Sequence, residues 1–288
     1  MFGLLNLDKP AGVTSRDVVN RVQRLVRPHK VGHAGTLDPL ATGVLVVAIG
    51  PATRLIEYVQ RMAKAYQGTF VLGRTSDTED IEGQVTELSS PPVPTMSEIQ
   101  AALPRFLGAI EQRPPAYSAL KVAGRRAYEL ARRGDAVELP PRTVQIDELK
   151  LVRYAYPELE LVVHCGGGTY IRSLGRDIAE ALGTGAVMSK LRRLAVGPFR
   201  EAEALAPGGL TLEEIHRRLL PAVMALGELR RIALHADELA RIARGQSIAN
   251  RWCESATELA ALDESGNLAA ILESAGELLR PTKCFIAV

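Results

Sequence analysis

Asp38 occupies the setting in this chain best suited to chemistry. It lies in "GHAGTLDPLATGVLVVAIG" (residues 32–50), between a glycine-rich turn and an apolar run, with Pro39 fixing the backbone behind it. A carboxylate held ahead of a buried strand can serve as a general base or a nucleophile. It can equally shape a corner, because Gly, Asp and Pro are turn residues. The stretch by itself leaves both roles open. Other groups with chemical potential are spread through residues 1–193: His33, Tyr66, Tyr170, Arg172 and five cations within 13 residues, Lys121, Arg125, Arg126, Arg132 and Arg133. Composition alone does not connect them.

Several familiar chemistries are excluded. No Gly-x-Ser-x-Gly elbow is present to carry an α/β-hydrolase nucleophile. "CGGGTYIRS" lacks the Gly-Lys-Ser/Thr ending of a nucleotide phosphate loop. The run Asp77, Glu79, Asp80, Glu82 places Ile81 where a calcium loop needs a ligand and Glu82 where it needs glycine. His29 and His33 have no second ligand cluster near them, so a metal site is not expected.

The elements that must position these groups follow from periodicity. With 288 residues the chain has room for one large domain and a smaller one. At 47% hydrophobic and 24% charged residues it reads as folded. Apolar runs are far short of a membrane span, and "MFGLLNLDKPAG" lacks the basic start and apolar core of a signal peptide. A cytoplasmic protein is therefore expected, with no membrane partner. Cys165, Cys253 and Cys284 are too few and too dispersed for a disulfide framework. Net charge is only +2, and residues 229–288 carry 7 Lys and Arg against 8 Asp and Glu. A nucleic-acid site would have to come from local basic clusters rather than a global field.

"TSRDVVNRVQRLVRP" predicts an amphipathic helix with Val18, Val19, Val22, Leu25 and Val26 on one face, capped by Thr14 or Ser15. Val44 to Ile49 predicts a buried strand, and "KAYQGTFVL" a strand presenting Tyr66, Gly68, Phe70 and Leu72 together. "RTSDTEDIEG" reads as an acidic, polar loop. Thr95 with Glu98, and Thr211 with Glu214, form capping boxes. "TVQIDELKLVRY" and "ELELVVHC" read as pairing strands. "GGGTYIRSLGRDIAEALG" is a glycine turn opening a helix with Ile171, Leu174, Ile178 and Leu182 inward. The short elements after Gly227 predict a compact final module.

Taken together, "LDKPAGVTS", "KVGHAGTLDPLATGVL", "LGRTSDTEDIEG", "RPPAYSALKVAGRRAYELAR" and "GGTYIRSLGRDIAEALG…LRRLAVGPF" occur in order over residues 4 to about 200. In this the chain resembles the bacterial tRNA pseudouridine-55 synthases of the TruB type. Ala34 and Ser76 stand where the family usually has threonine. The resemblance implies an α+β fold: a mixed, mostly antiparallel sheet with flanking helices, followed by a small β-rich module similar to the PUA RNA-binding domain. It implies a catalytic domain over 1–228 with an RNA-gripping thumb at about 112–139, and a PUA-like domain over 229–288.

What the resemblance implies for function is isomerisation of a T-arm loop uridine, position 55 of tRNA, with no cofactor or metal. Asp38 matches the family's catalytic aspartate, acting covalently or as a base. Arg172 matches the arginine that pairs with it; near a helix start, where the dipole disfavours cations, a partner carboxylate explains Arg172 better than helix stabilisation. Tyr66 matches the tyrosine that stacks on the target uracil and helps remove the C5 proton, Tyr170 and Leu191 match pocket-wall positions, and His33 matches the histidine that enters the RNA loop as bases flip out. Lys121, Arg125, Arg126, Arg132 and Arg133 would meet phosphates, giving affinity and register more than sequence information. Lys9 and Pro10 read as structural. The expected partner is a tRNA T-arm stem-loop, with the protein a monomer. Two alternatives stand beside it: an RNA-folding protein with secondary catalysis, and a guide-RNA-dependent relative of dyskerin, against which the short N-terminus, the intact thumb and the lack of basic tails argue.

Overall fold

The protein is described as a computed structural model covering residues 1–118, 121–122, 125–126, 139–253 and 255–286; for 121–122 and 125–126 the description is of the backbone. Strands in chain order are β1 (Gly3–Lys9), β2 (Val31–His33), β3 (Thr42–Ile49), β4 (Lys64–Leu72), β5 (Arg74–Ser76), β6 (Val85–Glu87), β7 (Gly108–Gln112), β8 (Lys121–Val122), β9 (Arg125–Arg126), β10 (Arg142–Ala155), β11 (Glu158–Cys165), β12 (Ala186–Val196) and β13 (Phe199–Arg200). The helices among them are α1 (Ser15–Leu25), α2 (Ile56–Arg61), α3 (Met96–Ala102), α4 (Ile171–Ala181) and α5 (Leu212–Arg218).

Seven strands run in the order β1-β3-β12-β4-β11-β10-β7, with β2 beside β3 and β13 beside β12. Every pairing in this sheet is antiparallel except β12 with β3. The fold class is therefore the α+β one expected. The position of β12 matters most: a strand near residue 190 is inserted between two from the first quarter of the chain. β4, between β12 and β11, is buried on both faces, so its alternation sorts residues between two packed sides rather than between core and water.

Local signals hold where the periodicity is strong. Thr14 caps α1 in a full capping box with Asp17, and Val18, Val19 and Val22 are buried against β1 and β3. α3 and α5 open on the expected boxes, and Pro104 lies in the 3₁₀ turn that follows α3. α4 buries Ile171, Leu174 and Ile178 on β4 and β12. The acidic, polar loop is pinned: β5 and β6 pair into a hairpin, and Asp80 is only 3% exposed. An isolated bridge from Asp80 to Met188 holds this turn against β12.

The chain after Gly227 adds β14 (Arg231–Ala233), helix α6 (Ala236–Ala243), β15 (Ile248–Ala249), β16 (Glu258–Leu262), β17 (Leu268–Ala275) and β18 (Leu278–Cys284). The strands form a second sheet in the order β14-β16-β17-β18-β15. It has a core of its own around Ile232, Leu259, Leu272 and Leu279. It also contributes Ala260, Leu268 and Ile271 to a core shared with Leu4, Val44 and Val46 of the large sheet. Tyr58 Oη donates to Glu258 at 2.9 Å and Lys283 pairs with Glu57 at 2.9 Å across the same boundary.

Candidate active site

The backbone around Asp38 is fixed on both sides by residues from the start of the chain. The Leu37 N–H donates to the buried Ser15 hydroxyl at 2.9 Å, and that hydroxyl lies 3.2 Å from the Leu37 carbonyl. The Pro39 carbonyl accepts from the Gly12 N–H at 2.9 Å and from Lys9 Nζ at 3.2 Å. The Asp38 carbonyl accepts from the Ala41 N–H at 3.0 Å, so the turn is real, but it is made by backbone. The carboxylate is left for another purpose.

That purpose is visible in Arg172, in the first turn of α4. Its Nε lies 3.1 Å from Asp38 Oδ2 and its Nη2 3.4 Å from Oδ1, a two-point grip. Nη1 donates to the Thr78 carbonyl at 2.7 Å and lies 3.4 Å from Asp80 Oδ2; Nη2 also donates to the Tyr117 carbonyl at 3.1 Å. The arginine side chain is 7% exposed and that of Asp38 33%. Burial pushes the Asp38 carboxyl upward; Arg172 and Lys9 pull it down, while Asp80 adds to the rise. The net direction is upward, so the arginine offsets the burial only in part. Asp80 is itself held by the Thr78 hydroxyl at 2.6 Å and the Glu82 N–H at 3.0 Å.

Tyr66 faces the same centre from β4. It is buried with Leu37, Ala41, Ile171 and Leu191. Its cross-strand partner on β12 is Arg193, a fully buried guanidinium whose charge acts on the tyrosine hydroxyl. Burial pushes the phenol upward and Arg193 moderates the rise, so at neutral pH the hydroxyl keeps its proton. Arg193 Nε donates to the Val44 carbonyl at 2.6 Å and Nη2 to the Gly35 carbonyl at 3.1 Å, tying β12 to β3 and to the loop bearing Asp38. Gly43 pairs with Arg193 at φ +99°, where an added Cβ would collide with the Arg193 backbone. Beneath the loop Lys9 is fully buried, its Nζ shared among the carbonyls of Pro10, Val13 and Pro39. Burial pulls it down to about 8 against the pull of Asp38.

Other sequence-derived residues stand further out. Tyr170 caps α4; its backbone is bracketed by Gln112 at 2.8 and 3.0 Å, and Arg142 lies over its ring at 4.8 Å. These contacts tie Tyr170 to β7 and β10. His33 ends β2, half-buried and paired in register with Val47. Arg132 and Arg133 lie outside the described residues; Lys121, Arg125 and Arg126 are described only as backbone of the β8–β9 pair. Among the described residues no group of three His, Cys, Asp or Glu is arranged to hold a metal ion. A cavity of about 520 Å³ opens beside Glu79, Arg113 and Arg176, outside the Asp38–Tyr66 group. The converging ionisable groups, rather than that cavity, mark the chemical centre.

Comparison with known proteins agrees with this architecture. The TruB family pseudouridylate synthase N-terminal domain matches residues 23–171, and the tRNA pseudouridylate synthase B C-terminal domain matches residues 172–226. The chain belongs to the TruB family of pseudouridylate synthases. A tRNA pseudouridine synthase B from Xanthomonas campestris pv. campestris (strain B100) is 42% identical, over 99% of this chain and 94% of the relative. One from Gluconacetobacter diazotrophicus is 46% identical, over 85% and 82%. The solved structure of a Cbf5-Nop10-Gar1 complex superposes with a TM-score of 0.75 at 25% identity, covering 99% of this chain and 85% of the matched one.

In this TruB-family centre, sequence reasoning missed Asp80, Arg193 and Ser15. For Arg193 a signal existed. Adjacent residues on a strand face opposite ways, so of Arg192 and Arg193 one had to point inward. For Asp80 no local signal existed, because an acidic, glycine-flanked run looks like surface.

Proposed function

We propose that this chain converts uridine 55 in the T-arm loop of tRNA to pseudouridine, with Asp38 as the catalytic carboxylate. The observation that carries the reading is the two-point grip of the buried Arg172 on Asp38, beside Tyr66. Its setting is a pseudouridylate synthase family whose relatives are named for tRNA.

The reaction breaks the N1–C1′ bond and forms a C5–C1′ bond on the same sugar. A proton leaves C5, one is gained at N1, and no electrons are transferred. Asp38 acts as an anion, adding to C1′ or removing a sugar proton; either route needs it ionised and aimed, which is what Arg172 supplies. Tyr66 stacks on the uracil and, holding its proton, offers a donor rather than a base. Leu191 and Tyr170 wall the pocket and keep the freed base from escaping while it turns.

A base inside an RNA loop must be everted first, at a cost of a few kcal/mol. His33 fills the vacated space, offsetting part of that cost through stacking worth about 1–3 kcal/mol. Residues 1–228 form the catalytic domain. The 112–139 segment is a thumb whose Lys121, Arg125, Arg126, Arg132 and Arg133 meet phosphates. Residues 229–288 are a PUA-like RNA-binding domain, docked on the large sheet through the shared apolar core. The enzyme works as a monomer in the cytoplasm and needs no guide RNA.

The test is Asp38→Asn, expected to bind tRNA as the parent does and to form no pseudouridine, read by mass spectrometry after pseudouridine-specific derivatisation. Turnover at the parent rate would remove Asp38 from the mechanism. A guide-dependent subunit is the second reading, favoured by the likeness to the Cbf5 complex. Modification of a bare T-arm hairpin by the purified protein rejects it.

A further inference from the structure

Outside the Asp38–Arg172–Asp80 group lies a second ionic layer that the mechanism does not use. Glu79 sits in the turn between β5 and β6 at φ +63°, a conformation uncommon for a residue with a side chain. Its N–H donates to the Ser76 carbonyl at 3.2 Å, and its carbonyl accepts from the Met188 N–H at 3.0 Å. Its carboxylate, 13% exposed, pairs with Arg176 of α4 and accepts from the Ser173 hydroxyl at 2.7 Å. Burial pushes that carboxyl upward; Arg176, Ser173 and Arg172 counter it.

The turn and α4 are therefore interlocked in both directions. Ser173 and Arg176 hold Glu79, while Thr78 and Asp80, the residues on either side of it, hold Arg172. Arg176 reaches one element further, donating through Nη2 to the Arg113 carbonyl at 3.0 Å, as Arg172 does to the Tyr117 carbonyl. Two arginines one helical turn apart thus clamp the acidic turn and the root of the 112–139 segment together. Any shift of the turn would carry two of the anchors of Arg172 with it.

We infer that Glu79 is a positioning residue for the isomerisation: by locking the turn to α4 through Arg176 and Ser173, it sets the Arg172 guanidinium at the angle that grips Asp38. The inference rests on the reading of Asp38 as the catalytic carboxylate. The groups facing Asp38 are Arg172 from α4, Asp80 and Glu82 from the turn, Lys9 from β1 and Tyr66 from β4. A loosened Arg172 weakens the larger of the two cationic pulls on that carboxyl.

Glu79→Gln removes the charge that Arg176 holds. Its kcat on a T-arm hairpin is expected to fall about tenfold with KM changed less than about twofold, and the acid limb of kcat to move to higher pH. The exchanged double variant, Glu79→Arg with Arg176→Glu, should recover part of the loss. If Glu79→Gln does not fold, Arg176→Gln is read by the same criteria. A lowered melting temperature with unchanged kcat and an unmoved acid limb would make the pair a structural tie only, overturning the inference. Asp38→Asn measured alongside separates the two levels. Activity retained there sinks the reading of Asp38 itself, whereas an inactive Asp38→Asn beside a fully active Glu79→Gln sinks only the role given to Glu79.

Discussion

Arg172 and Arg192 each hold two carboxylates, and the better-formed set is not the one at the chemical centre. Arg192 meets Asp8 with two bonds of 3.0 Å and Glu201 with one of 2.6 Å, at 36% exposure. Arg172 meets Asp38 at 3.1 and 3.4 Å and Asp80 at 3.4 Å, at 7% exposure. In water-screened surroundings even a good pair contributes only about 0–1 kcal/mol. Removed from water, a looser pair controls whether its acid is charged at all. Burial, more than bond length, separates a tie between β1 and β12 from the ion pair that the proposed reaction uses.

The most severe way to break this contrast is Asp38→Asn. Activity is expected to fall by at least about 10⁴-fold with tRNA affinity retained. The same variant sharpens the electrostatic side of the comparison. The folded-state pKa of Asp38 lies above its unfolded value, so the native form binds that proton more tightly. Stability from this group is present at low pH and declines as pH rises through the window between the two values. Asp38→Asn is therefore expected to melt no lower than the parent at pH 7, and the parent's activity to fall with acid at a pH above the ordinary carboxylate range. Differential scanning calorimetry and a kcat–pH profile check the two parts.

Arg172→Gln comes next. It should lower kcat about 100-fold and move the acid limb to still higher pH, because the principal group holding Asp38 ionised is gone. An unmoved limb would detach Arg172 from the titration of Asp38. Tyr66 gives a smaller effect: Phe keeps the stack but loses the hydroxyl that faces Arg193, for about a tenfold loss, and Leu loses both and falls further. Equal turnover of Phe and parent would reject a hydroxyl role. Arg192→Gln, the outer counterpart, is expected to change stability by less than about 1 kcal/mol and to leave kcat alone. A catalytic defect there would erase the distinction between the two arginines.

Much of the local architecture was legible in the chain. The capping boxes at Thr14, Thr95 and Thr211, the alternation of β4 and the amphipathic pattern of α4 are each set within a few residues by backbone hydrogen-bonding needs and side-chain period. For the site, Asp38, Arg172 and Tyr66 could be linked only through a resemblance spanning many motifs. Their types were suggestive and their distances were not available from any local rule. The acidic, polar character of the turn between β5 and β6 is written in its residues, but its burial is not: Glu79 and Asp80 are claimed by arginines from α4.

The sequence by itself determined the elements, their caps and the oddity of an aspartate poised before a buried strand. Tertiary structure alone decided which charges are dry. By inserting β12 between β3 and β4 it set Arg193 against Tyr66, and by docking α4 on that sheet it brought Arg172 to an aspartate 134 residues earlier. The physical reason is one of range: backbone periodicity acts over a few residues, whereas desolvation and charge pairing depend on neighbours that only the completed sheet order supplies.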